Sequence, residues 1–347
     1  MHKKKKSFLL LSVIALLVLS MTACSSGGSK QSNGGNGSEG KSTYVLKFGH
    51  DQAPDHAYNQ AAKWFADEVN KRTNGRVQIK VFPNAQLGEE STMLDSLKMG
   101  TLDFCITSTS NASSHVPQMG LLSASYLFNS AEHLYKVATD PMIIDKYDKM
   151  VSDKNLGFKL VTFLPNGVRS LYSTHEVKSI QDIQGMKVRV MSSPIETAVW
   201  EALGTKPTTV PFNEVYTALQ TNLVEAAENT PSSYLTAKHY EVAPYFIETQ
   251  HEWMMSEVWI SNKTWDKLPE DIRQIIMQTG AEMAKYGQDK QLENDKKAIE
   301  ELTSKHGVKD IKVDLAPFRE KVAPLHDKIA KELGAEDVLA RIRELGK

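Results

Sequence analysis

Cysteine is nearly absent: the 347 residues hold two, Cys24 and Cys105. A disulfide framework needs at least one pair free to bridge. Cys24 sits in a leader-like segment, so Cys105 stands alone in the body, where "LDFCIT" reads as core. Neither charge is in excess, with 41 Lys+Arg against 42 Asp+Glu. That balance gives no reason to expect a nucleic-acid partner. Apolar stretches are short. The longest, Phe8 to Leu19, would not span a bilayer comfortably as a permanent helix. No GxSxG, no HExxH and no Cys-His spacing with an interpretable role occurs. A secreted enzyme therefore has no residue signature behind it, and no metal or cofactor is expected. Hydrophobic content of 41% and charged content of 24% are those of a globular chain. Its length suits one large domain or two ordinary ones.

The first residues form a leader. "MHKKKKS" is a basic n-region, Phe8 to Leu19 an apolar core, and "MTAC" ends at Cys24. This is the layout of an export signal over residues 1–23. Ala23-Cys24 is similar to a bacterial lipobox, in which the cysteine is lipidated and becomes the mature N-terminus; the plainer alternative is an ordinary signal with an incidental cysteine. Cleavage there removes four lysines and no acid, leaving 37 basic residues against 42 acidic. Residues 24–42 follow as a Ser/Gly/Asn tether. Within it "GNGSEGKS" matches the phosphate-loop pattern. That loop needs a strand before it and a helix after it. Here linker precedes and the strand-like "TYVLKF" follows, so the match is rejected.

From Tyr44 the chain reads as α/β. "YVLKFGH" is a strand, residues 57–75 have a helical period, and "RVQIKVF" alternates. This βαβ grammar implies a parallel pair. "EESTMLDSLKMG" is a helix closed by Gly100, then "TLDFCIT" a strand ending in polar residues 107–111. The grammar returns at 186–191, followed by a helix from Pro194 with Ser193 as N-cap and Glu196 completing a capping box. "LKMGTLDF" and "LQTNLVEA" align, matching Leu97 with Leu219, Gly100 with Asn222, Leu102 with Val224 and Asp103 with Glu225. Two similar halves are the economical reading. Residues 269–305 predict one long helix or a bent pair, roughly 50 Å end to end.

Arg189 stands near the carboxyl end of its strand, just before a helix start. Ligands of open α/β sheets bind there, and a guanidinium beside free helix N–H groups can hold a carboxylate by two parallel hydrogen bonds. An ion pair internal to the sheet is the competing role for Arg189.

With "FPNAQLGEE", "LKMGTLDF", "IQGMKVRVMSSP", "LGTKPTTVPFNEVYTALQTNLVEAAENTP" and "YEVAPYF" in this order, the chain resembles the solute-binding proteins of tripartite ATP-independent periplasmic (TRAP) transporters, the dicarboxylate-binding family. The resemblance runs from about Tyr44 to about Trp265. It implies a two-lobed periplasmic-binding-protein-like fold, each lobe a mixed sheet flanked by helices, with a long helix spanning both. The implied division is 43–166 plus about 254–293 for the first lobe and 167–253 plus about 294–347 for the second. The resemblance makes Arg189 the carboxylate clamp, Asn229 its helper, Arg169 a second basic contact and Phe212 an aromatic wall. Asp51, Glu90 and Ser108 would meet the distal polar end of the ligand, with His50 a possible pocket donor. Each has a plainer role open to it. Asn229 could shape a turn before Thr-Pro, Glu90 could cap a helix, and His50 could end a strand or join Asp55 and His56 at a metal. The family often reads Gln-Glu-Asn where this chain has Ala227-Glu228-Asn229, which leaves one polar contact open.

The function so implied is capture of an organic acid at the outer face of the cell membrane, for delivery to small and large integral membrane subunits driven by an ion gradient. The binding subunit of an ATP-driven transporter, or a receptor, is the runner-up. The residues assigned to the far side of the site suit hydroxyls better than a second carboxylate. Sugar acids such as uronates or aldonates are therefore expected ahead of C4-dicarboxylates.

Overall fold

The structure, a computed structural model, describes residues 43–347; the leader, Cys24 and the tether lie outside the described residues. Among the described residues nine strands form one mixed sheet: β1 (Tyr44–Gly49), β2 (Val77–Phe82), β3 (Phe104–Ser108), β4 (Phe158–Ser173), β5 (Lys187–Val190), β6 (Lys206–Thr209), β7 (Ala226–Asn229), β8 (Tyr245–Ser261) and β9 (Lys309–Lys312). Their order is β2-β1-β3-β8-β4-β7-β5-β6, with β9 pairing β8.

The two halves suggested by the sequence repeat are visible in this order. β1 lies between β2 and β3, all parallel, as β5 lies between β6 and β7. The aligned residues do the same physical work in each half. Gly100 (φ 74°) and Asn222 (φ 57°) both take the left-handed conformation that stops a helix. Leu97, Leu219, Leu102 and Val224 are buried. Asp103 accepts the amide of Lys47 at 2.8 Å, and Glu225 accepts the amide of Lys187 at 2.9 Å. Each acid thus satisfies a backbone donor of the parallel neighbouring strand.

The halves are joined by exchange. β8 pairs antiparallel with β3 and β4 with β7, while β4 and β8 pair with each other. Register shifts interrupt that central ladder, one of them between Pro165 and Val168. Residues 269–305 form a single helix, Glu270–Lys305, of 36 residues. Gly280 and Gly287 do not break it. A Cβ at Gly280 would meet Val161 Cγ1 at 2.6 Å, and one at Gly287 would meet Leu164 Cδ1 at 2.5 Å. The missing side chains let the helix lie directly on β4.

Several local expectations change. The helical segment before β7 begins as a 3-10 turn, Phe212–Glu214, and continues as Val215–Gln220. The capping box at Ser193 forms by half. Glu196 N donates to Ser193 Oγ, but the Glu196 carboxylate takes the amide of Met191 at 2.6 Å instead of that of Ser193. The chain end, expected with the second half, is divided. Phe318 and Val322 pack with Val188, Val199 and Trp200. Val338, Leu339 and Ile342 pack with Leu134, Val137 and Ile143 of the first half. Among the described residues no helix is long and apolar enough to cross a membrane.

Candidate functional site

The parallel strands of both halves point their carboxyl ends at one cavity lined mostly by buried side chains. The loop after β1 supplies Asp51, Gln52 and His56; the end of β3 supplies Ser108 and then Asn111; β5 supplies Arg189 and then Met191; the end of β7 supplies Asn229 and Thr230. The central pair adds Asn166, Arg169 and Met254, and Phe212 closes one side.

Arg189 and Arg169 are both buried, yet they are held very differently. Arg169 Nε and Nη2 engage both carboxylate oxygens of Glu228, and Nη2 also reaches the Glu228 carbonyl at 2.9 Å. Its Nη1 donates to Asn229 Oδ1 at 3.1 Å and faces Met254 Sδ at 3.0 Å. The charge of Arg169 therefore has a fixed counter-ion in the fold. Although burial opposes it, Arg169 and the His251 hydrogen bond hold the Glu228 carboxyl down at about 2. Arg189 spends only Nε, on the carbonyl of Val210 at 2.8 Å. Its closest carboxylate oxygen, Glu228 Oε1, is 3.9 Å away. Neither of its terminal nitrogens has a hydrogen-bond partner among the described residues, and its side chain lines the cavity.

The opposite wall carries carboxyls. Glu90 accepts from Ser108 N at 2.9 Å, Ser108 Oγ at 2.8 Å and Asn111 Nδ2 at 2.7 Å, all on Oε2. Glu90 is not the helix cap. Glu89 is, accepting the amides of Ser91 and Thr92, which turns Glu90 inward. Burial raises the Glu90 carboxyl against the pull of those three bonds. Burial, with Glu90 alongside, pushes Asp51 up to about 8. Asp51 is thus protonated near neutral pH and can donate as well as accept a hydrogen bond, while Glu90 is shifted toward its protonated form.

Seven of the eight expected site residues line the cavity: Arg189, Arg169, Asn229, Phe212, Glu90, Ser108 and Asp51. His50 does not. It is fully buried behind the wall, with Nε2 on Asn59 Oδ1 at 3.3 Å and its ring edge-on to Tyr58. Nor do His50, Asp55 and His56 gather as metal ligands. His56 Nδ1 accepts the amide of Tyr58 as a helix cap, and its Nε2 meets Ser233 Oγ at 3.0 Å across the cavity. Burial, with His50 nearby, holds His56 neutral, near 3. Glu228, His251 and Glu252 cluster closely enough to suggest a cation, but the guanidinium of Arg169 already occupies Glu228. Further bridges between the halves run from Ser233 Oγ to Gln52 Oε1 at 3.4 Å and from Ser192 N to Asn111 Oδ1 at 2.9 Å. Sequence reading missed Gln52, Tyr58, Asn166, Thr230, Ser233 and Met254, which come from a loop, the central strands and the starts of two helices. It quoted Glu228 without giving it a role.

Residues 48–333 match the family described as bacterial extracellular solute-binding protein, family 7 (DctP). The chain belongs to this family. Its members are the substrate-binding proteins of TRAP transporters. The C4-dicarboxylate-binding periplasmic protein DctP of Rhodobacter capsulatus is 29% identical over 85% of this chain and 89% of its own. The sugar acid binding protein DctPAm of Advenella mimigardefordensis, solved with galactonate, superposes with a TM-score of 0.83 at 28% identity, covering 88% of this chain and 99% of its own. A TRAP periplasmic solute-binding protein of Xanthobacter autotrophicus, solved with β-D-galacturonate, gives a TM-score of 0.81 at 29% identity, covering 86% and 99%. The two-lobed fold of such family 7 proteins is the architecture of this chain.

Proposed function

We propose that this protein captures one monocarboxylic sugar acid, a uronate or an aldonate, between its two lobes and presents it to the membrane subunits of a TRAP transporter. The observation that carries the reading is the unpaired terminal edge of Arg189, buried in a cavity whose far wall holds two carboxyls. A buried cation gains most from a ligand that supplies its missing charge and hydrogen bonds together. Arg189 takes the ligand carboxylate, with Asn229 beside it and Phe212 as an apolar face against the ring or chain. Arg169 keeps its charge for Glu228 and contributes as a rigid support for Asn229. Asp51, Glu90 and Ser108 face the distal end, where they suit hydroxyls as donors and acceptors.

A second carboxylate would face Asp51 and Glu90 and lose its hydration there without a cation in return. The galactonate- and galacturonate-bound relatives support the sugar-acid choice; the relative named for C4-dicarboxylates supports the competing one.

Closure is a hinge motion of the two lobes about the β4–β8 crossing, with the His56–Ser233 and Asn111–Ser192 bridges made only when shut. The leader ending at Cys24 places the protein outside the cytoplasmic membrane, lipid-anchored through a soft tether, beside small and large membrane subunits driven by an ion gradient. The lobe division follows the sequence, save that the chain end beyond about residue 329 goes with the first lobe.

The test is a thermal-shift and calorimetric panel of D-galacturonate, D-glucuronate, galactonate, succinate and malate. The expected outcome is stabilisation by at least one sugar acid and none by the diacids. Stabilisation by succinate or malate alone would overturn the ligand class.

A further inference from the structure

Behind the arginines lies a set of groups that the capture of a carboxylate does not itself use. Glu196, on the helix Pro194–Ala202, is buried, and one of its carboxyl oxygens takes the amide of Met191 at 2.6 Å. The other, Oε1, is enclosed with no hydrogen-bond partner. An ionised carboxylate with a bare buried oxygen is a costly arrangement, and a protonated one far less so. The charged groups acting on Glu196 come from three strands: Glu228 of β7, Arg169 of β4 and Arg189 of β5. From β8, Glu252 is in turn pushed well above the usual carboxyl range by burial despite Arg169, with Glu196 and Glu228 adding to the effect, and its Oε1 is also unpartnered. His251, beside Glu252, is held neutral by burial, and its ring packs against Trp200 on the Glu196 helix. The helix also packs against β6, which carries Lys206, Thr208 and Thr209; Phe318 and Val322 of the helix Ala316–Leu333 pack with Val199 and Trp200, and Gly120 lies close to Ile195.

The charges around the ligand end of the cavity are therefore two arginines, one ionised Glu228 and three groups whose protonation decides the rest. With Glu196 neutral, one positive charge is left for an incoming carboxylate. With Glu196 ionised, none is. We propose that Glu196 is a positioning residue that must carry a proton for the acid to bind, so that capture of the carboxylate is coupled to protonation of this side chain. The inference rests on the sugar-acid reading above. Burial, with Glu228 adding to it and Arg169 and Arg189 opposing, pushes the Glu196 carboxyl up to about 7, which puts the coupling in the range where an exported protein works. A bound anion adds negative charge nearby and favours the protonated form further. Binding then draws in a proton, and affinity is highest below pH 7 and falls above it.

The experiment is calorimetric titration with D-galacturonate, and with the other acids of the panel, from pH 6 to pH 8, in pairs of buffers with different ionisation heats. The wild-type protein should bind with constant affinity near pH 6, weaken by up to tenfold per pH unit above about 7, and take up about three-quarters of a proton at pH 7.5. Glu196→Gln, permanently neutral and nearly isosteric, should bind at pH 8 about as tightly as wild type does at pH 6, with no slope. Asp51→Asn, which removes the other carboxyl titrating nearby, should keep the proton uptake. A wild-type affinity and heat independent of pH and buffer would overturn the coupling even if Glu196→Gln failed to fold. So would an unchanged slope in Glu196→Gln, or loss of the uptake in Asp51→Asn. An absence of binding by every acid in the panel at pH 6 would overturn the sugar-acid reading and the coupling together.

Discussion

Arg169 and Arg189 come from the same half of the sheet, line the same cavity and are equally hidden from solvent. Their difference lies in their partners. Arg169 is matched by the Glu228 carboxylate on Nε and Nη2, with Nη2 also on the Glu228 carbonyl, and by Asn229 on Nη1. Arg189 has one backbone carbonyl. A buried guanidinium with a complete set of partners is part of the fold, and one with a single partner is a place for something else. Strand position nominates Arg189 as a ligand contact, and the family resemblance nominates both. Only the disposition of Glu228 separates them.

The comparison breaks most directly through stability. Arg169→Met leaves the Glu228 carboxylate buried without its cation, and should lower the unfolding free energy by about 3–5 kcal/mol in urea denaturation. Arg189→Met removes a charge with little to satisfy it, and should cost about 1 kcal/mol or less. Equal losses in the two variants would erase the distinction. Ligand affinity should then show the reverse order. Arg189→Met should weaken sugar-acid binding by about 2–5 kcal/mol, or ~30- to 4,000-fold, in calorimetry on a protein whose circular dichroism is unchanged.

The acidic wall provides a sharper, smaller test through pH. Asp51 is raised from its ordinary 3.8 to about 8, so between those values the folded state holds a proton that the unfolded chain releases. Stability from this residue is present at low pH and lost as pH rises from about 4 to 8; Glu228, held at about 2, contributes in the opposite sense, losing stability as pH falls from about 4.5 toward 2. Asp51→Asn should flatten the decline between pH 5 and 8 in urea midpoints, while Glu228→Gln should remove the acid-side loss. The smallest effect belongs to His50. Because it lies behind the wall, His50→Gln should cost about 1 kcal/mol of stability and leave affinity within about twofold. A tenfold loss would return it to the site.

Much of the architecture was legible because it depends on local grammar. The βαβ unit and the caps at Gly100 and Asn222 act over a few residues, so the internal repeat could be read before any contact was known, whereas the amides that Asp103 and Glu225 accept lie 56 and 38 residues away. Gly280 and Gly287 show the limit of such grammar. As helix residues they look like interruptions, and only the approach of β4 explains them. Glu89 and Glu90 are a finer case. Both can cap a helix, and which one turns inward is settled by Ser108 and Asn111, 18 and 21 residues further on. His50 was misplaced for a related reason: a strand end marks the neighbourhood of a site, while side-chain direction within that neighbourhood depends on what packs there.

The amino-acid order was enough to decide the strand–helix–strand units of both halves, that the chain holds two like halves, and that an arginine stands where sheets of this kind receive ligands. Those properties follow from periodicity, capping and backbone preference, which act between near neighbours. Which arginine is spent internally, which carboxyls keep their protons and which walls meet across the cavity were decided by the tertiary structure. Charge and desolvation depend on separation in space, and the partners concerned, Arg169 with Glu228 and His56 with Ser233, are 59 and 177 residues apart in the chain.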